Sequence, residues 1–264
     1  IQDQVVVLQS EFERTYDQVI KGLQSRSIYM INEAQMDEGQ AAFVQDYFTH
    51  TVLPELEPIL LLESVRIPIL ADESIYLAVD IRSGDGYHYA IVEVPTDRLD
   101  RFVKIPRKRG KGGKVFMALD NIIRACLSQM FRGVINIDSA QAYCFKFSRD
   151  AELEIDTDIS QSLIDKMASS LKQRRKADAV RFVYDSAMPV RLLDHIRARF
   201  NVGKYDSLIA GGRYHNSKDF ISFPNVGPRY LEFKPLPPIR IPRLDGSESI
   251  FDCIKAQDVF LYFP

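Results

Sequence analysis

The feature that most constrains the fold is a run of alternating residues on either side of a short turn. In residues 75–81, apolar side chains at every second position alternate with Tyr76, Ala78 and Asp80. The tetrapeptide Ser-Gly-Asp-Gly at 83–86 connects this run to a second one, Tyr87–Val94. Alternation with a period of two across a turn rich in glycine and aspartate is typical of a β-hairpin. We therefore predict a hairpin here.

Helical spacing predicts several helices around this hairpin. In residues 1–25 apolar side chains recur every three or four positions and form one stripe; they are Val5, Leu8, Phe12, Tyr16, Val19 and Leu23. Further helices are predicted near 36–53, at 120–131, from Ser160 and after Pro189. Short strands are predicted at 27–31, 102–105, 115–118, 143–147, 180–184 and 259–263. Strands and helices mix without regular βαβ alternation, which indicates an α+β fold: a mixed sheet with packed helices, preceded by one long helix.

Both ends of the chain suggest a piece of a larger protein. The first helix has an apolar stripe but neither a capping residue nor a visible partner. The alternative is a short amphipathic helix that packs on its own domain. Residues 258–264 are apolar and aromatic, which predicts a strand in a sheet that continues elsewhere; alternatively, this strand closes the local sheet. Between them, the proline-rich residues 224–243 are predicted to be an extended connection.

Composition limits the class of protein. The longest apolar stretches are broken by charge or proline well short of the ~20 residues that a membrane helix needs, so we expect no membrane span. The three cysteines, Cys126, Cys144 and Cys253, form no CxxC pair. Widely spaced single thiols are typical of a reducing compartment, so we expect a cytoplasmic location.

Positive charge is clustered although the net charge is only −2. One group consists of Lys104, Arg107, Lys108, Arg109, Lys111 and Lys114, and a second of Lys172, Arg174, Arg175, Lys176 and Arg181. A near-neutral chain with such patches is suited to an anionic ligand rather than to general nucleic-acid binding.

The common catalytic motifs are absent from the sequence. The four histidines His50, His88, His195 and His215 show no HExxH or other paired metal-ligand spacing. Residues 110–114 look superficially like a phosphate loop but lack the GxxxxGK[ST] spacing, so a flexible basic loop is the better interpretation.

The most unusual stretch is residues 204–227. Gly211 and Gly212 allow tight backbone turns. Hydrogen-bond donors and a ring then follow within six positions, at Arg213, Tyr214, His215, Asn216 and Lys218. Such a cluster is suited to holding an anion through charge-assisted hydrogen bonds. The alternative is an interaction loop whose polar groups cap neighbouring elements.

This stretch also carries a family resemblance. The segment GGRYHNSKDFISFPNVG, with KYDS just before it, resembles the head domain of the polyphosphate kinases that work through a phosphohistidine. Other pieces agree in order, and they are INEAQM (31–36), SIYLAVDI (74–81), YAIVEVPTDRLDRFVKIP (89–106), LDNIIR (119–124), FSRDAELEID (147–156), ASSLKQR (168–174), VRFVY (180–184), KPLPPIR (234–240) and DVFLYFP (258–264). The match covers nearly the whole chain.

The resemblance implies a parent enzyme that reversibly transfers the terminal phosphate of ATP to a growing inorganic polyphosphate chain, with Mg²⁺. It implies that residues 1–26 are the last helix of a helical N-terminal domain, 27–248 the head domain, and 249–264 the start of the connection into the C-terminal catalytic domains. The head domain would supply dimer contacts and part of the tunnel wall that borders ATP and the polymer.

No catalytic residue is carried over, because none of the four histidines matches the family's nucleophile. We expect no metal site and no cofactor bound by this segment alone; ATP and Mg²⁺ belong to the parent. The candidates for the polyanion path are Arg213, Lys218, Lys172, Arg174 and Arg175. The candidates for a structural loop are Gly211, Gly212, Tyr214, His215 and Asn216. The alternative function is a free-standing, non-catalytic module for dimerisation and anion binding.

Overall fold

The computed structural model describes residues 2–65, 67–68, 70–72, 74–84, 86–107, 112–149, 179–202, 207–237, 239–241, 244, 249–258 and 260. The strands in this part of the chain are β1 (Ile28–Ile31), β2 (Ile59–Leu60), β3 (Ile75–Ser83), β4 (Gly86–Val94), β5 (Phe102–Ile105), β6 (Lys114–Ala118), β7 (Ser139–Arg149), β8 (Ala179–Asp185) and β9 (Ser207–Gly211). The α-helices are α1 (Gln2–Gln24), α2 (Glu38–Tyr47), α3 (Leu119–Ala125), α4 (Leu127–Met130), α5 (Val190–Arg199) and α6 (Ile250–Ala256).

The hairpin lies at the centre of the larger sheet. Strands β3 and β4 pair antiparallel from Ile75 opposite Val94 to Ser83 opposite Gly86, which confirms the predicted hairpin. The sheet has the order β2-β4-β3-β7-β8-β9. All of its neighbours are antiparallel except β8 and β9, which run parallel. The sheet is therefore mixed, and the α+β prediction is confirmed.

A smaller sheet has the order β1-β6-β5. Strand β1 pairs parallel with β6, whereas β5 pairs antiparallel with it. This sheet puts two segments that bear on the candidate site next to each other, because Arg101 precedes β5 and α3 follows β6 directly.

Two apolar clusters cover the two faces of the central sheet. Alternate residues of β3, such as Leu77 and Val79, pack with α2, α3 and α4 in one cluster. The intervening Tyr76 packs in the other cluster with Phe145, Phe182 and the inner face of α5. Phe145 and Phe182 stack with their ring centroids 5.4 Å apart. Successive side chains of β3 therefore contribute to the two clusters in turn, and both faces of the strand are buried.

Two predicted helices are shorter or more broken than their apolar spacing indicates. The helix predicted near 36–53 begins at an Asp37–Gln40 capping box and ends as α2, followed by a π-helical turn at Phe48–Val52 and a 3-10 turn at Leu53–Glu55. Pro54 has no backbone N–H to continue the α-helical pattern. The helix predicted at 120–131 is divided at Cys126, whose φ is −116°.

Two strands, the two-residue β2 and the longer β9, were missed, and several predicted elements lie outside the described residues. Strand β9 falls where a loop was expected, because its apolar residues, Leu208, Ile209 and Ala210, are consecutive and do not alternate. It is formed by pairing with β8 rather than by its own pattern. The helix predicted from Ser160 and nearly all of the strand predicted at 259–263 are outside the described residues.

The chain forms two compact units, residues 1–226 and 227–264. Helix α1 belongs to the first. The second contains a 3-10 turn at Arg229–Leu231 and α6, with largely exposed apolar side chains. The predicted domain boundaries after residues 26 and 248 stay predictions, because grouping within this one chain does not test how a longer protein is divided. In the described part of the chain, no helix is both long enough and apolar enough to cross a membrane.

Candidate functional site

The unusual segment found in the sequence begins at the end of β9. Gly211 is the last residue of the strand and pairs with Asp185. A Cβ on Gly212 would lie 2.9 Å from Oε1 of Glu13, and one on Gly211 would meet the amide of Gln9, both on α1. Neither glycine has a positive φ. The two glycines therefore permit the close approach of α1, and the tight turns predicted for them are not seen.

Asn216 directs the chain into the next turn. It has left-handed backbone angles, φ 57° and ψ 60°, and begins the 3-10 turn Ser217–Ser222. Asparagine tolerates this conformation better than most residues. Its Oδ1 accepts a hydrogen bond of 2.6 Å from Nζ of Lys146 on β7. This bond joins the segment to the central sheet.

A buried carboxylate lies behind the segment. Asp120, the second residue of α3, is fully buried. Its carboxyl oxygens lie 3.4 Å from NH2 of Arg101 and 3.2 Å from NH1 of Arg124. Burial alone would raise the pKa of Asp120, but the two guanidinium groups outweigh burial and hold this pKa below its ordinary value. The carboxylate is therefore ionised at neutral pH.

The same arginines tie α3 to the sheet and to the segment. Nε of Arg124 donates a 3.0 Å hydrogen bond to the carbonyl oxygen of Ala142, and NH2 contacts Sγ of Cys144 at 3.2 Å. NH1 of Arg101 lies 3.9 Å from Oδ2 of Asp219 in the 3-10 turn. These contacts place the segment, α3 and β7 against one another.

Arg213 is paired rather than free. Its NH2 donates to Oε1 of Glu33 and lies 3.4 Å from Oδ1 of Asn121. The neighbouring Tyr214 hydroxyl accepts a 2.9 Å hydrogen bond from Nδ2 of Asn121. We call the resulting set the charged cluster; it consists of Arg101, Arg124, Arg213, Glu33, Asp120 and Asp219. Three cations and three carboxylates balance, so the cluster has no excess charge for a ligand.

His215 is mostly buried beside α1. Burial lowers the pKa of its imidazole to about 4, and the carboxylates of Asp185 and Asp120 offset this only in part. The ring is therefore neutral at pH 7. Its Nε2 is buried and has no hydrogen-bond partner among the described residues.

A cavity of about 580 Å³ opens next to this histidine. We call it the α1 cavity. It is lined by Val5, Leu8, Gln9, Phe12 and Glu13 of α1, by Lys146, Ser148, Arg181 and Val183 of β7 and β8, and by Gly212, Tyr214, His215, Asn216 and Ser217. The wall from α1 combines the apolar Val5, Leu8 and Phe12 with the polar Gln9 and Glu13, and the wall from β7 and β8 carries the two basic side chains.

Only some of the predicted site residues lie at this cavity. The structural-loop candidates Gly212, Tyr214, His215 and Asn216 line it. Arg213 belongs to the charged cluster, and Lys218 is exposed on the 3-10 turn and does not line the cavity. Lys172, Arg174 and Arg175 lie outside the described residues. The proposal that these five cations face a polyanion stays a prediction.

Two basic residues of the cavity were not singled out from the sequence. Lys146 was missed, and Arg181 was noted only as a member of a basic group. Lys146 lies opposite Val183, and Arg181 opposite Ser148, so all four side chains share one face of the sheet. The available signal was the alternation of these positions with Phe145 and Phe182, which face the apolar core.

The described residues contain no group of three or more His, Cys, Asp or Glu side chains that could hold a metal ion. Cys126 and Cys144 are buried and unpaired. Burial raises the pKa of their thiols to about 11 and about 12. Thiols in this state are poor nucleophiles.

Comparisons with known proteins agree along the chain. Residues 39–223 match the model of the polyphosphate kinase middle domain. The polyphosphate kinase of Vibrio cholerae is 44% identical over 265 residues, covering 100% of this chain and 38% of that protein. That of Salmonella typhimurium is 40% identical over 267 residues, covering 39% of its length.

A solved structure supports the same relationship. The crystal structure of polyphosphate kinase from Porphyromonas gingivalis superposes with a TM-score of 0.71 and 27% sequence identity. The alignment covers 96% of this chain and 36% of that one. The chain thus spans well under half the length of the proteins it matches.

Proposed function

The chain belongs to the polyphosphate kinase family, and from that premise we propose that it is the middle part of a longer enzyme that makes inorganic polyphosphate. That enzyme would reversibly transfer the terminal phosphate of ATP to the growing polymer through a phosphohistidine. The observation that carries the proposal is the match of residues 39–223 to the middle-domain model, together with relatives that align over the whole chain.

The nucleophile of this proposed reaction lies elsewhere in the longer protein. A phosphohistidine forms when an accessible imidazole nitrogen attacks in line with the phosphoryl group. Here Nε2 of His215 is buried, and so is Nε2 of His195, whose ring centroid lies 4.7 Å from that of Tyr89. The His50 side chain is exposed, and its Nδ1 lies 3.2 Å from Oδ1 of Asp46. Burial of these nitrogens favours structural roles for His195 and His215.

The residues described here do not fit a Mg²⁺ site. Hard cations such as Mg²⁺ take oxygen ligands, chiefly carboxylates and waters. The buried carboxylate Asp120 and the partly buried Glu33 and Asp219 each face an arginine. The described residues offer no suitable group of three ligands. We therefore assign ATP and Mg²⁺ to the rest of the longer protein and derive no step through them.

The role proposed for this chain is to supply a rigid wall and contact surfaces. The charged cluster fixes the segment that begins at Gly211 against α3 and the sheet. Exposed apolar side chains, such as Phe233 and Leu236 in the second unit and Leu8 on α1, support burial in a larger assembly. Dimer contacts through this chain and a border on the polymer tunnel are part of the proposal. A cytoplasmic location is also proposed, in keeping with the unpaired Cys126 and Cys144.

Activity measurements on the longer protein and on the 264-residue chain test whether the nucleophile lies outside this chain. The longer protein should form acid-insoluble polyphosphate from ATP, and the 264-residue chain alone should form none under the same conditions. Polyphosphate synthesis by the 264-residue chain would overturn the assignment of the nucleophile to another part of the protein. Absence of synthesis by the longer protein would overturn the proposed activity.

The dimer is tested by sedimentation velocity of the 264-residue chain over a wide concentration range. We expect self-association at high concentration. A chain that stays monomeric throughout would contradict dimer contacts made by this segment alone.

A further inference from the structure

Two facing polar atoms of the charged cluster are buried and make no hydrogen bond among the described residues. They are NH1 of Arg101 and Oδ2 of Asp219. The Arg101 side chain is only 6% exposed, so bulk solvent does not supply the missing partner. Burial of a polar atom without a hydrogen-bond partner costs free energy, and native folds almost always satisfy such atoms with protein groups or ordered water.

The two atoms are too far apart for a direct hydrogen bond. NH1 of Arg101 lies 3.9 Å from Oδ2 of Asp219, whereas an N–H···O hydrogen bond spans about 2.7–3.2 Å. A water oxygen about 2.8 Å from each atom would join them with an angle of about 90° at the water. Polar contacts longer than about 3.5 Å are often bridged in this way. The separation therefore fits one bridging water.

The charges around the gap favour a neutral molecule over an ion. An anion would be repelled by Asp219 and by Asp120, whose carboxylate lies 3.4 Å from NH2 of Arg101. A cation would be repelled by the guanidinium groups of Arg101 and of Arg124, the second cation beside Asp120. A water molecule instead accepts a hydrogen bond from NH1 and donates one to Oδ2. Buried waters occur about once per 27 residues and bond to polar groups that otherwise lack partners.

A cavity brings solvent up to the charged cluster. It has a volume of about 240 Å³, and its lining includes Tyr16 of α1, Arg213 and Phe220. Arg213 is itself a member of the charged cluster, and Phe220 follows Asp219 directly in the 3-10 turn. A water molecule can therefore approach the gap from this side.

We propose that the charged cluster binds one ordered water molecule, which bridges NH1 of Arg101 and Oδ2 of Asp219. The water links the 3-10 turn Ser217–Ser222 to the residue that precedes β5. It thereby adds a hydrogen-bonded connection to the contacts that fix the segment beginning at Gly211. The inference is independent of the proposed activity, because every contact that it uses lies within this chain.

A crystal structure of the unmodified 264-residue chain, at a resolution that shows ordered waters, tests the bridge directly. We expect a density peak within about 2.5–3.2 Å of both NH1 of Arg101 and Oδ2 of Asp219. A direct hydrogen bond between these two atoms, with no peak between them, would overturn the proposal. A peak that refines as an ion rather than as water would overturn it equally.

Variants at Asp219 test the same water in solution. Asp219→Glu adds one methylene group, which lets the carboxylate reach Arg101 and displace the water, whereas Asp219→Asn keeps an acceptor oxygen in the same place. Magnetic relaxation dispersion of the water oxygen counts the waters that stay bound for longer than the chain takes to tumble. Asp194→Glu is the matched control, because Asp194 also lies 3.8 Å from an arginine, Arg197, but is 62% exposed.

Each outcome of this comparison decides the proposal. Loss of one long-lived water in Asp219→Glu, with no loss in Asp219→Asn or Asp194→Glu, supports the bridge. An unchanged count in Asp219→Glu, or the same loss in Asp194→Glu, contradicts it. Thermal unfolding verifies that each variant is folded, and the crystal structure of the unmodified chain decides the proposal if Asp219→Glu does not fold.

Discussion

The substitution Asp120→Asn tests whether the charged cluster stabilises the fold as the geometry indicates. Asp120 is fully buried, and the side chains of Arg101 and Arg124 are only 6% and 4% exposed. At ion-pair distances of 3.4 and 3.2 Å, each attraction amounts to about 5 kcal/mol at an effective dielectric constant of about 20. Removing the charge also removes the several kcal/mol that its burial costs. The net destabilisation should therefore be about 3–5 kcal/mol, the usual cost of leaving a buried partner unpaired.

The assay is equilibrium unfolding of the 264-residue chain in urea, followed by far-ultraviolet circular dichroism. Asp194→Asn makes the same chemical change in an exposed carboxylate that pairs with Arg197 at 3.8 Å, and it should cost less than about 1 kcal/mol. Folding lowers the pKa of Asp120. The contribution of its charge to the free energy of unfolding is therefore fully present above its unfolded pKa of about 3.9 and is lost as the pH falls through the folded pKa. The difference in free energy of unfolding between Asp120→Asn and the unmodified chain should therefore become smaller below about pH 4. A cost no larger than that of Asp194→Asn at pH 7 would refute the reasoning.

Three further perturbations follow from particular contacts. Gly113→Ala should reduce the free energy of unfolding by about 1–3 kcal/mol and so lower the midpoint of thermal unfolding, because Gly113 has a φ of 106° and a Cβ there would meet a backbone oxygen. Gly84→Ala is the control and should have little effect, because the space around Gly84 is open. Burial lowers the pKa of His215 from 6.5 to about 4. The unfolded chain therefore binds the proton more readily, and the free energy of unfolding should fall as the pH drops through this interval. In urea titrations His215→Gln should reduce this dependence on pH, and an unchanged pH dependence would contradict the prediction. Arg213→Gln should reduce the free energy of unfolding by about 1 kcal/mol. If Arg213 and Glu33 act as a pair, adding Glu33→Gln should cost little more, so that a double-mutant cycle assigns most of the loss to the interaction between these two side chains.

Local periodicity was enough to predict much of the fold. The hairpin 75–94 and helix α5 after Pro189 depend on patterns that lie within a few residues of each other. Strand β9 could not be predicted in this way, since it is stabilised by parallel pairing with β8. Similarly, the break at Cys126 between α3 and α4 interrupts an apolar spacing that continues across it, so the spacing alone does not show where the helix divides.

The site was harder to predict because its contacts join distant parts of the chain. Arg213 and Glu33 are 180 positions apart, and Lys146 and Asn216 are 70 apart. Residue type and the local density of hydrogen-bond donors predicted a site in the segment that begins at Gly211, and that segment does lie at the α1 cavity. Neither property indicates which cation is neutralised, since that depends on acids brought close only by the fold.

The partner of a cation, rather than its density in the sequence, decides whether it is available to an anionic ligand. Arg213 stood within the most conspicuous cluster of donors, yet Glu33 and the rest of the charged cluster balance its charge. Arg181 lies on a strand between Val180 and Phe182, in a pattern that first indicates only a sheet position. Because the strand alternates, Arg181 faces the α1 cavity beside Lys146 while Phe182 fills the core. The same alternation that builds the sheet therefore places Arg181 and Lys146 on one face of β7 and β8, at the cavity, and Phe182 on the other face, in the core.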